Sequence, residues 1–314
     1  MNAYNRPEKV ITSTPRLPSK QLSGIYHGPL INATIYCPIF LDPTDALLTQ
    51  VQQLLQQLTP TPCEGTHLSI IKSKPDHFVL AFQFPEKVPP NLDSAIRVWW
   101  QKQQNVAGLV VQSQNGLLSY GETEGSFDVN GLLIRFSPWA FVQCHPDQSL
   151  NVYDEVLRLS KLCEARSVLD LYSGIGVTSL LLARESCSVT AVEGNPEAVQ
   201  LAIRNAELNR IKGVEFLKAD VSRVLGGLLE RVSPDLVILN PPRTGLDPQA
   251  RQELLRAKPK RLLYISCMPS TLARDLAAFV EQGYQLKSCR AYDMFPQTTH
   301  VETVVLIERD NSWS

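Results

Sequence analysis

Short apolar runs alternate with longer amphipathic segments from residue 167 onward, and this alternation limits the possible folds more than any other feature of the chain. A parallel strand returns to its sheet only through a crossover segment, so repeated strand and helix units predict a doubly wound, mainly parallel sheet. The predicted strands are 167–171, 188–193, 213–218, 234–240 and 261–266, and two predicted helices are 196–209 and 271–282. Two last apolar runs, 285–294 and 301–308, predict an antiparallel hairpin at one edge. The predicted class is α/β with a Rossmann-like sheet.

The region before this sheet is organised differently. Residues 66–134 contain short apolar runs broken by turn residues, which favours a smaller, mostly antiparallel α+β domain. Its predicted elements are strands at 67–71, 78–84, 106–112 and 132–134 and a helix at about 92–103. Basic residues in 1–25 indicate a flexible tail rather than a binding arm, 47–58 has helical spacing, and 147–162 predicts a linking helix. The predicted domains are 1–60, 61–135 and 136–314.

Charge and cysteine usage restrict the possible partners. The formal net charge is -1, so a nucleic-acid partner would have to meet a local basic patch. Seven cysteines lie far apart without a C-x-x-C pair, so the sequence predicts neither an iron–sulfur cluster nor another metal site. Their scatter suits a reducing cytosol, and no apolar stretch approaches the length of a membrane span. We expect a cytoplasmic monomer without a membrane partner.

The first strand of the predicted sheet runs into a glycine-rich loop. Gly174 and Gly176 allow a tight turn beneath a ligand, but Ser179 stands where a dinucleotide fingerprint has its third glycine. Glu193 ends the next strand, where a carboxylate can bind both ribose hydroxyls, and Asp220 follows the third strand, where it could accept from an adenine amino group. Each acid alone fits a helix N-cap or a surface charge equally well. Their joint position at successive strand ends favours a nucleoside without a pyrophosphate, and S-adenosylmethionine is the candidate.

Three further motifs follow at later strand ends. Asn240 begins Asn-Pro-Pro-Arg, in which two prolines stiffen the loop and Arg243 offers a fork of donors to a phosphate or a base carbonyl. Cys267 ends the fifth strand just before a predicted helix, whose positive end favours the thiolate, although an isolated cysteine is more often a buried inert one. The loop of the last hairpin carries His300 and Glu302 toward the same edge.

These motifs resemble the bacterial RNA (uracil-5-)-methyltransferase family, which includes enzymes of 23S ribosomal RNA and of transfer RNA. The resemblance covers about residues 105–308 and rests on four motifs in order. It implies a methyltransferase domain at 136–314, S-adenosylmethionine as the cofactor and RNA as the partner, with ribosomal RNA favoured over transfer RNA. The residues that it implies for the cofactor site are Gln143, Tyr172, Glu193, Asp220 and Asn240, with Cys267 as the nucleophile and Glu302 as the base. The motifs themselves add Gly174 to the predicted cofactor site and Arg243 and His300 as predicted substrate contacts.

The chemistry of uracil explains why such an enzyme needs a thiol and a base. Carbon 5 of the ring is too weakly nucleophilic to attack a methyl sulfonium until a thiolate has added to carbon 6. A base must then remove the proton from carbon 5 so that the sulfur can leave. Cys267 and Glu302 supply one group for each step.

The chain also departs from the family pattern. His145 stands where the family usually has asparagine, Asn240 where it has aspartate, and Met268 where asparagine is commoner. The N-terminal cysteine cluster and RNA-binding β-barrel of many members are not visible, so no iron–sulfur cluster is expected. Two alternatives therefore stay open: methylation of an amino group on adenine or glutamine, which the Asn-Pro-Pro start would serve, and an RNA-binding paralogue without turnover.

Overall fold

A computed structural model gives the fold of most of the chain. It describes residues 26–29, 47, 50–51, 67–74, 77–84, 92–114, 116–143, 146–294 and 301–309. The basic segment 1–25, most of the predicted helix at 47–58, His145 and His300 lie outside the described residues. The chain divides into two compact units, the first holding the described residues up to Phe127 together with 135–139 and 143–146, and the second holding 128–134, 140–142 and the chain from 147 onward. The domain boundaries that the sequence predicts stay predictions.

The first unit is built on a five-stranded sheet. Its strands are β1 (Tyr26–Pro29), β2 (His67–Lys74), β3 (His77–Gln83), β4 (Val106–Ser113) and β5 (Gly116–Gly121), which lie in that order across the sheet. All neighbours are antiparallel except β3 and β4, which are parallel and are connected through α1 (Leu92–Trp100). A crossover helix is what a parallel pair requires, so α1 explains this one exception.

A short hairpin follows, formed by β6 (Gly125–Val129) and β7 (Leu132–Phe136). Its turn is Asn130-Gly131, with both residues at positive φ, which suits the twist of a two-residue hairpin. The tip belongs to the second unit, where the Asn209 side chain accepts from the backbone N of Leu133 at 2.8 Å and donates to the Leu133 carbonyl at 2.8 Å. The hairpin tip is thereby held by hydrogen bonds within that unit.

The second unit contains a seven-stranded sheet with helices on both faces. Its elements along the chain are α2 (Pro146–Leu162), β8 (Ser167–Leu171), α3 (Val177–Arg184), β9 (Ser188–Glu193), α4 (Pro196–Leu208), β10 (Val214–Lys218), α5 (Val221–Val232), β11 (Leu236–Leu239), α6 (Pro248–Ala257), β12 (Arg261–Ser266), α7 (Pro269–Val280), β13 (Tyr284–Tyr292) and β14 (Glu302–Arg309). The strand order is β10-β9-β8-β11-β12-β14-β13. Five strands are parallel, and β14 pairs antiparallel with both β12 and β13. The predicted α/β class and edge hairpin are confirmed.

Alternate residues of the central strands enter two separate cores. Leu169, Leu171 and Leu239 are buried on one face with side chains of α5, α6 and α7, whereas Val168 and Ile238 are buried on the other with side chains of α2 and α3. Strands covered on both faces are apolar at nearly every position, which is why β11 reads as a continuous apolar run. No helix among the described residues has both the length and the apolar character of a membrane span.

Candidate active site

The loop after β8 has the conformation that its glycines allow. Gly174 and Gly176 have φ of 56° and 86°, and Tyr172 has φ of 61°. A Cβ at Gly176 would lie 3.0 Å from the Ala202 Cβ, so the missing side chain lets the loop pack closely on α4. A Cβ at Gly174 would meet nothing within 4 Å. The space beside Gly174 is therefore open to a ligand.

The Glu193 carboxylate joins the loops that follow β8 and β9. Its Oε2 accepts from the backbone N of Gly174 at 2.9 Å, and its Oε1 accepts from the backbone N of Asn195 at 2.7 Å. A carboxylate has about four acceptor positions, so these two bonds fix its orientation and leave capacity for ligand hydroxyls. This geometry is compatible with the predicted ribose contact.

Ser179 has a structural role that explains why it replaces the third glycine. Its Oγ donates to Oδ2 of Asp170 at 2.5 Å, and both side chains are buried. Burial raises the pKa of Asp170 to about 7, against a smaller opposite effect of the hydrogen bond from Ser179. A glycine at position 179 would leave this buried carboxyl without its donor.

Asp220 is the N-cap of α5. Its Oδ1 accepts from the backbone N of Ser222 at 2.9 Å and from the Ser222 Oγ at 2.7 Å, and these bonds hold the pKa of Asp220 below its usual value. Asp220 therefore serves as a helix N-cap, which is one of the alternatives that the sequence left open. The predicted contact with adenine stays a prediction.

The remaining predicted cofactor residues fall in two places. Asn240 is half-buried after β11, and its backbone N donates to the Leu171 carbonyl at 3.3 Å, which brings the Asn-Pro-Pro loop next to the glycine loop. Tyr172 is half-buried, and burial followed by the charges of Asp247, Asp220 and Asp275 raises its pKa to about 12. Gln143 belongs to the first unit, and its cofactor role stays a prediction.

Cys267 and Glu302 are brought together by strand pairing. The last pair of the antiparallel β12–β14 ladder is Ser266 with Thr303, so Cys267 and Glu302 occupy the next position outward on the two chains. Residues opposite each other in a ladder point to the same face, with Cβ atoms about 5 Å apart. Glu302 is buried, and its charge acts on Cys267 and on the buried Tyr153 of α2.

The Cys267 thiol lies between opposite charges. Burial and then the carboxylate of Glu302 raise the pKa of Cys267, whereas the Arg243 guanidinium lowers it by its charge and by a hydrogen bond to the thiol. The net pKa is above the ordinary thiol value, and the expectation that the start of α7 favours the thiolate stays a prediction. Desolvation of the sulfur outweighs the positive charges near it.

The residues that hold the loop carrying Arg243 are not among those predicted from the sequence. Thr271 donates to the Arg243 carbonyl at 3.1 Å, Arg274 donates to the Thr244 carbonyl at 3.0 Å, and Asp275 accepts from the backbone N of Leu246 at 2.8 Å. The sequence contains one signal for Asp275, because an acidic residue stands there on the apolar face of a helix, next to leucine and alanine. Beside this loop lies a cavity of 370 Å³ lined by Tyr172, Pro242, Thr244, Gly245, Leu246, Asp247, Pro248, Arg251 and Arg274.

Comparison with known proteins assigns the chain to a family. The model of the tRNA (uracil-5-)-methyltransferase family matches residues 126–310, more than half of the chain. The chain belongs to this family. The matched residues include every predicted site position from Gln143 to Glu302.

Members of the RNA methyltransferase group are similar over most of this chain. A Protochlamydia amoebophila protein described as an uncharacterized RNA methyltransferase is 38% identical over 278 residues, which are 87% of this chain and 63% of that protein. One from Caldanaerobacter subterraneus is 35% identical over 71% of this chain and 49% of its own length. The chain therefore spans between about half and two thirds of the length of these relatives.

A solved structure from the family shares the fold. The Pyrococcus abyssi tRNA (uracil-54, C5)-methyltransferase, in complex with S-adenosyl-L-homocysteine, has a TM-score of 0.69 and 24% identity, covering 87% of this chain and 69% of that one. This likeness confirms the Rossmann-like methyltransferase fold.

Proposed function

We propose that this protein uses S-adenosylmethionine to methylate carbon 5 of a uridine in RNA, with Cys267 as the nucleophile and Glu302 as the base. The observation that carries the proposal is the strand register that sets Cys267 opposite Glu302, with the Arg243 guanidinium at the thiol. A methyltransferase for an amino group has no use for this pair of groups. Family membership supports the same reaction.

The residues at the strand ends suit S-adenosylmethionine. Glu193 is oriented for ribose hydroxyls, the space beside Gly174 is open, and the Ser173 Oγ is buried without a hydrogen-bond partner among the described residues. A buried hydroxyl without a partner costs free energy that a bound ligand can restore. Glu193, Gly174, Tyr172, Asp220 and Asn240 are the residues of the second unit that would hold the cofactor, whose methyl sulfonium supplies the electrophilic carbon.

The groups around Cys267 divide the reaction between them. The thiol loses its proton to solvent water and the Sγ thiolate adds to carbon 6, which places negative charge on the ring oxygen at carbon 4 and makes carbon 5 nucleophilic. Arg243 is placed to favour the thiolate before attack. Once carbon 5 carries the methyl group, Glu302 takes the remaining proton from carbon 5, the ring double bond reforms, and the sulfur leaves as thiolate. His300, proposed as a substrate contact, lies outside the described residues.

A covalent trap tests the nucleophile. RNA that contains 5-fluorouridine cannot lose a proton from carbon 5, so the adduct accumulates. We expect a stable protein–RNA complex linked through Cys267, seen by denaturing electrophoresis and peptide mass mapping, and its loss in Cys267→Ala, which keeps S-adenosylhomocysteine binding. Cys289→Ala is the matched control, since that exposed cysteine lies in β13 away from the paired strand ends. A complex or full methyl transfer in Cys267→Ala would refute the proposal and favour an amino-group substrate.

The RNA itself needs a separate experiment, because the thiol and the carboxylate act on any exposed uracil ring. We propose 23S ribosomal RNA as the substrate. Mass mapping of 5-methyluridine in cells that lack the protein should show one site lost from 23S ribosomal RNA. A loss confined to transfer RNA would refute this assignment and leave the chemistry standing, whereas unchanged 5-methyluridine in both RNAs would support a paralogue without turnover.

A further inference from the structure

Asp275 is a buried carboxylate that the proposed reaction does not use directly. It lies in α7 with none of its surface exposed. Its Oδ2 accepts from the Tyr264 hydroxyl at 2.8 Å and from the backbone N of Leu246 at 2.8 Å. Its Oδ1 accepts from Arg274 at 2.8 Å and from Arg251 at 3.2 Å. An ionised carboxylate is acceptor-only, and here both of its oxygens are engaged by fixed donors.

These donors come from elements that surround the thiol. Tyr264 lies in β12, three residues before Cys267, and Leu246 lies in the loop that begins at Asn240. Two further bonds tie the same loop to α7, from Thr271 to the Arg243 carbonyl and from Arg274 to the Thr244 carbonyl. Asp275 therefore connects the strand that carries the sulfur with the loop that carries Arg243.

The backbone of this loop is adapted to the carboxylate. Gly245 has φ of 78°, and a Cβ there would lie 2.6 Å from Oδ2 of Asp275 and 2.5 Å from a guanidinium nitrogen of Arg274. A side chain at position 245 would push the loop away from α7, so the close approach requires glycine.

We propose, on the basis of the function proposed above, that Asp275 is a positioning residue, whose buried carboxylate fixes the loop bearing Arg243 against the strand end bearing Cys267. Burial, Glu302 and Arg243 are the main influences on the Cys267 pKa, so a change at Asp275 reaches the thiol through Arg243. The role of Asp275 is to keep the guanidinium within hydrogen-bond reach of the sulfur. If the loop moves, the thiolate loses its stabilising partner and becomes rarer at neutral pH.

The pH profile of Cys267 alkylation tests this role without requiring methyl transfer. The rate at which iodoacetamide modifies the Cys267 peptide is followed by mass spectrometry, and it reports the thiolate fraction. Asp275→Asn keeps the size of the side chain but removes the charge that holds both arginines. We expect its alkylation midpoint to rise by about half to one pH unit, which lowers the rate at pH 7.5 by about three- to tenfold.

A second variant covers the case in which Asp275→Asn does not fold. Thr271→Val removes the hydrogen bonds of the hydroxyl to the Arg243 and Met268 carbonyls, at a half-buried position and without a change in charge. It should shift the midpoint in the same direction by a smaller amount. Tyr284→Phe is the matched control, since Tyr284 is also buried and donates to a backbone carbonyl, that of Pro259, far from the loop. It should lower the melting temperature without moving the midpoint.

A double-mutant cycle separates positioning from general loosening of the fold. In an Arg243→Gln background, Asp275→Asn and Thr271→Val should add no further shift, because the group they position has gone. Unchanged midpoints in both single variants, an equal shift in Tyr284→Phe, or a full shift in the Arg243→Gln background would each overturn the proposal. Methyl transfer by Cys267→Ala would refute the proposed function instead. The alkylation profiles of Asp275→Asn and Thr271→Val, measured with Cys267 present, would still decide the role of Asp275.

Discussion

At the scale of single residues, the site depends on two opposite charges at one sulfur. Glu302 raises the pKa of Cys267, and Arg243 lowers it. The carboxylate thus opposes thiolate formation in the free protein although the proposed reaction needs it later as a base. A substrate that separates the two groups, or a proton on Glu302, would remove this opposition.

Glu302→Gln should therefore have two effects of opposite sense. Loss of the negative charge lowers the pKa of Cys267, so iodoacetamide should modify Cys267 several-fold faster at pH 7.5 than in the wild type. Without the base, methylated RNA should remain attached to the sulfur, and the adduct should accumulate during turnover. Glu308→Gln, in the same strand but paired with Arg261, is the control and should show neither change. Normal turnover in Glu302→Gln would exclude this residue as the base.

Asp170 predicts how stability depends on pH. Its pKa is raised from 3.8 to about 7 in the folded state, so between these values the unfolded chain releases a proton that the folded chain keeps. The contribution of Asp170 to the free energy of unfolding should thus be greatest below about pH 4. This contribution falls by a few kcal/mol as the pH rises toward 7, which is the order of magnitude expected for such a pKa shift. Asp170→Asn should remove this part of the pH dependence.

The measurement for Asp170 needs a control carboxylate whose contribution to stability is the same at pH 5 and at pH 8. Unfolding of the second unit by urea is followed by hydrogen exchange of β8 peptides at pH 5 and at pH 8. The difference between the urea midpoints at the two pH values should be smaller in Asp170→Asn than in the wild type. Backbone donors at Ser167 and Arg166 hold the pKa of Asp235 below its usual value. Asp235→Asn should accordingly lose stability at neutral pH, where the paired carboxylate is ionised. An unchanged pH dependence in Asp170→Asn would show that its carboxyl ionises normally in the folded chain.

Site residues could be predicted from the sequence where their position at the end of a strand was sufficient to place them. The strand ends at Glu193 and Cys267 could be placed because both follow clear apolar runs, and their convergence at one edge follows from parallel strands. The role of Ser179 as a donor to Asp170 could not be predicted, since it depends on a contact across the turn. The raised pKa of Cys267 has a similar cause, because burial of the sulfur is set by packing of the whole strand end.

At the scale of elements, the strands buried on both faces were predictable, whereas the exposed strand β5 was not. The predicted strands 167–171, 188–193 and 261–266 coincide with β8, β9 and β12, which are buried at most of their positions. The strand β5 was missed, because it is exposed along nearly its whole length. The hairpin of β6 and β7 was missed in part, although Asn130-Gly131 is a strong local turn signal.

The loop between β8 and α3 provides a matched pair of glycine substitutions. Alanine at Gly176 combines backbone strain with contacts of 3.0 Å to Ala202 and 3.1 Å to Phe216, so Gly176→Ala should lower the free energy of unfolding by about 2 to 3 kcal/mol. Alanine at Gly174 has strain but open space, so Gly174→Ala should lower it by only about 1 kcal/mol.

The same pair separates stability from cofactor binding. If the open space beside Gly174 receives the cofactor, Gly174→Ala should weaken S-adenosylhomocysteine binding more than its small loss of stability explains. Calorimetric titration at a temperature where both variants are folded measures this. Unchanged affinity in Gly174→Ala would place the cofactor elsewhere, and a larger stability loss than in Gly176→Ala would contradict the packing argument.

At the scale of the whole molecule, charge decides how RNA can be attracted. The chain has 30 basic and 31 acidic side chains, so the long-range field supplies no general pull on a polyanion. Many described cations are already engaged within the fold, for example Arg251 and Arg274 by Asp275 and Arg256 by Glu253. Binding of RNA should thus depend on a few phosphate contacts and on groups that recognise the extruded base.

This charge balance predicts a shallow salt dependence of RNA binding. Two or three phosphate contacts to single-stranded RNA give a slope of about −2 in a plot of log affinity against log salt, or about a tenfold to twentyfold loss between 50 and 200 mM. Fluorescence anisotropy with a labelled stem-loop measures the slope. If Arg243 contacts a phosphate, Arg243→Gln should make the slope shallower by about 0.7; if Arg243 acts only on the thiol, the slope should stay unchanged. Arg256→Gln, near the end of α6, is the control and should leave the slope unchanged. A loss of a thousandfold over the same range would require about seven phosphate contacts and would contradict the prediction.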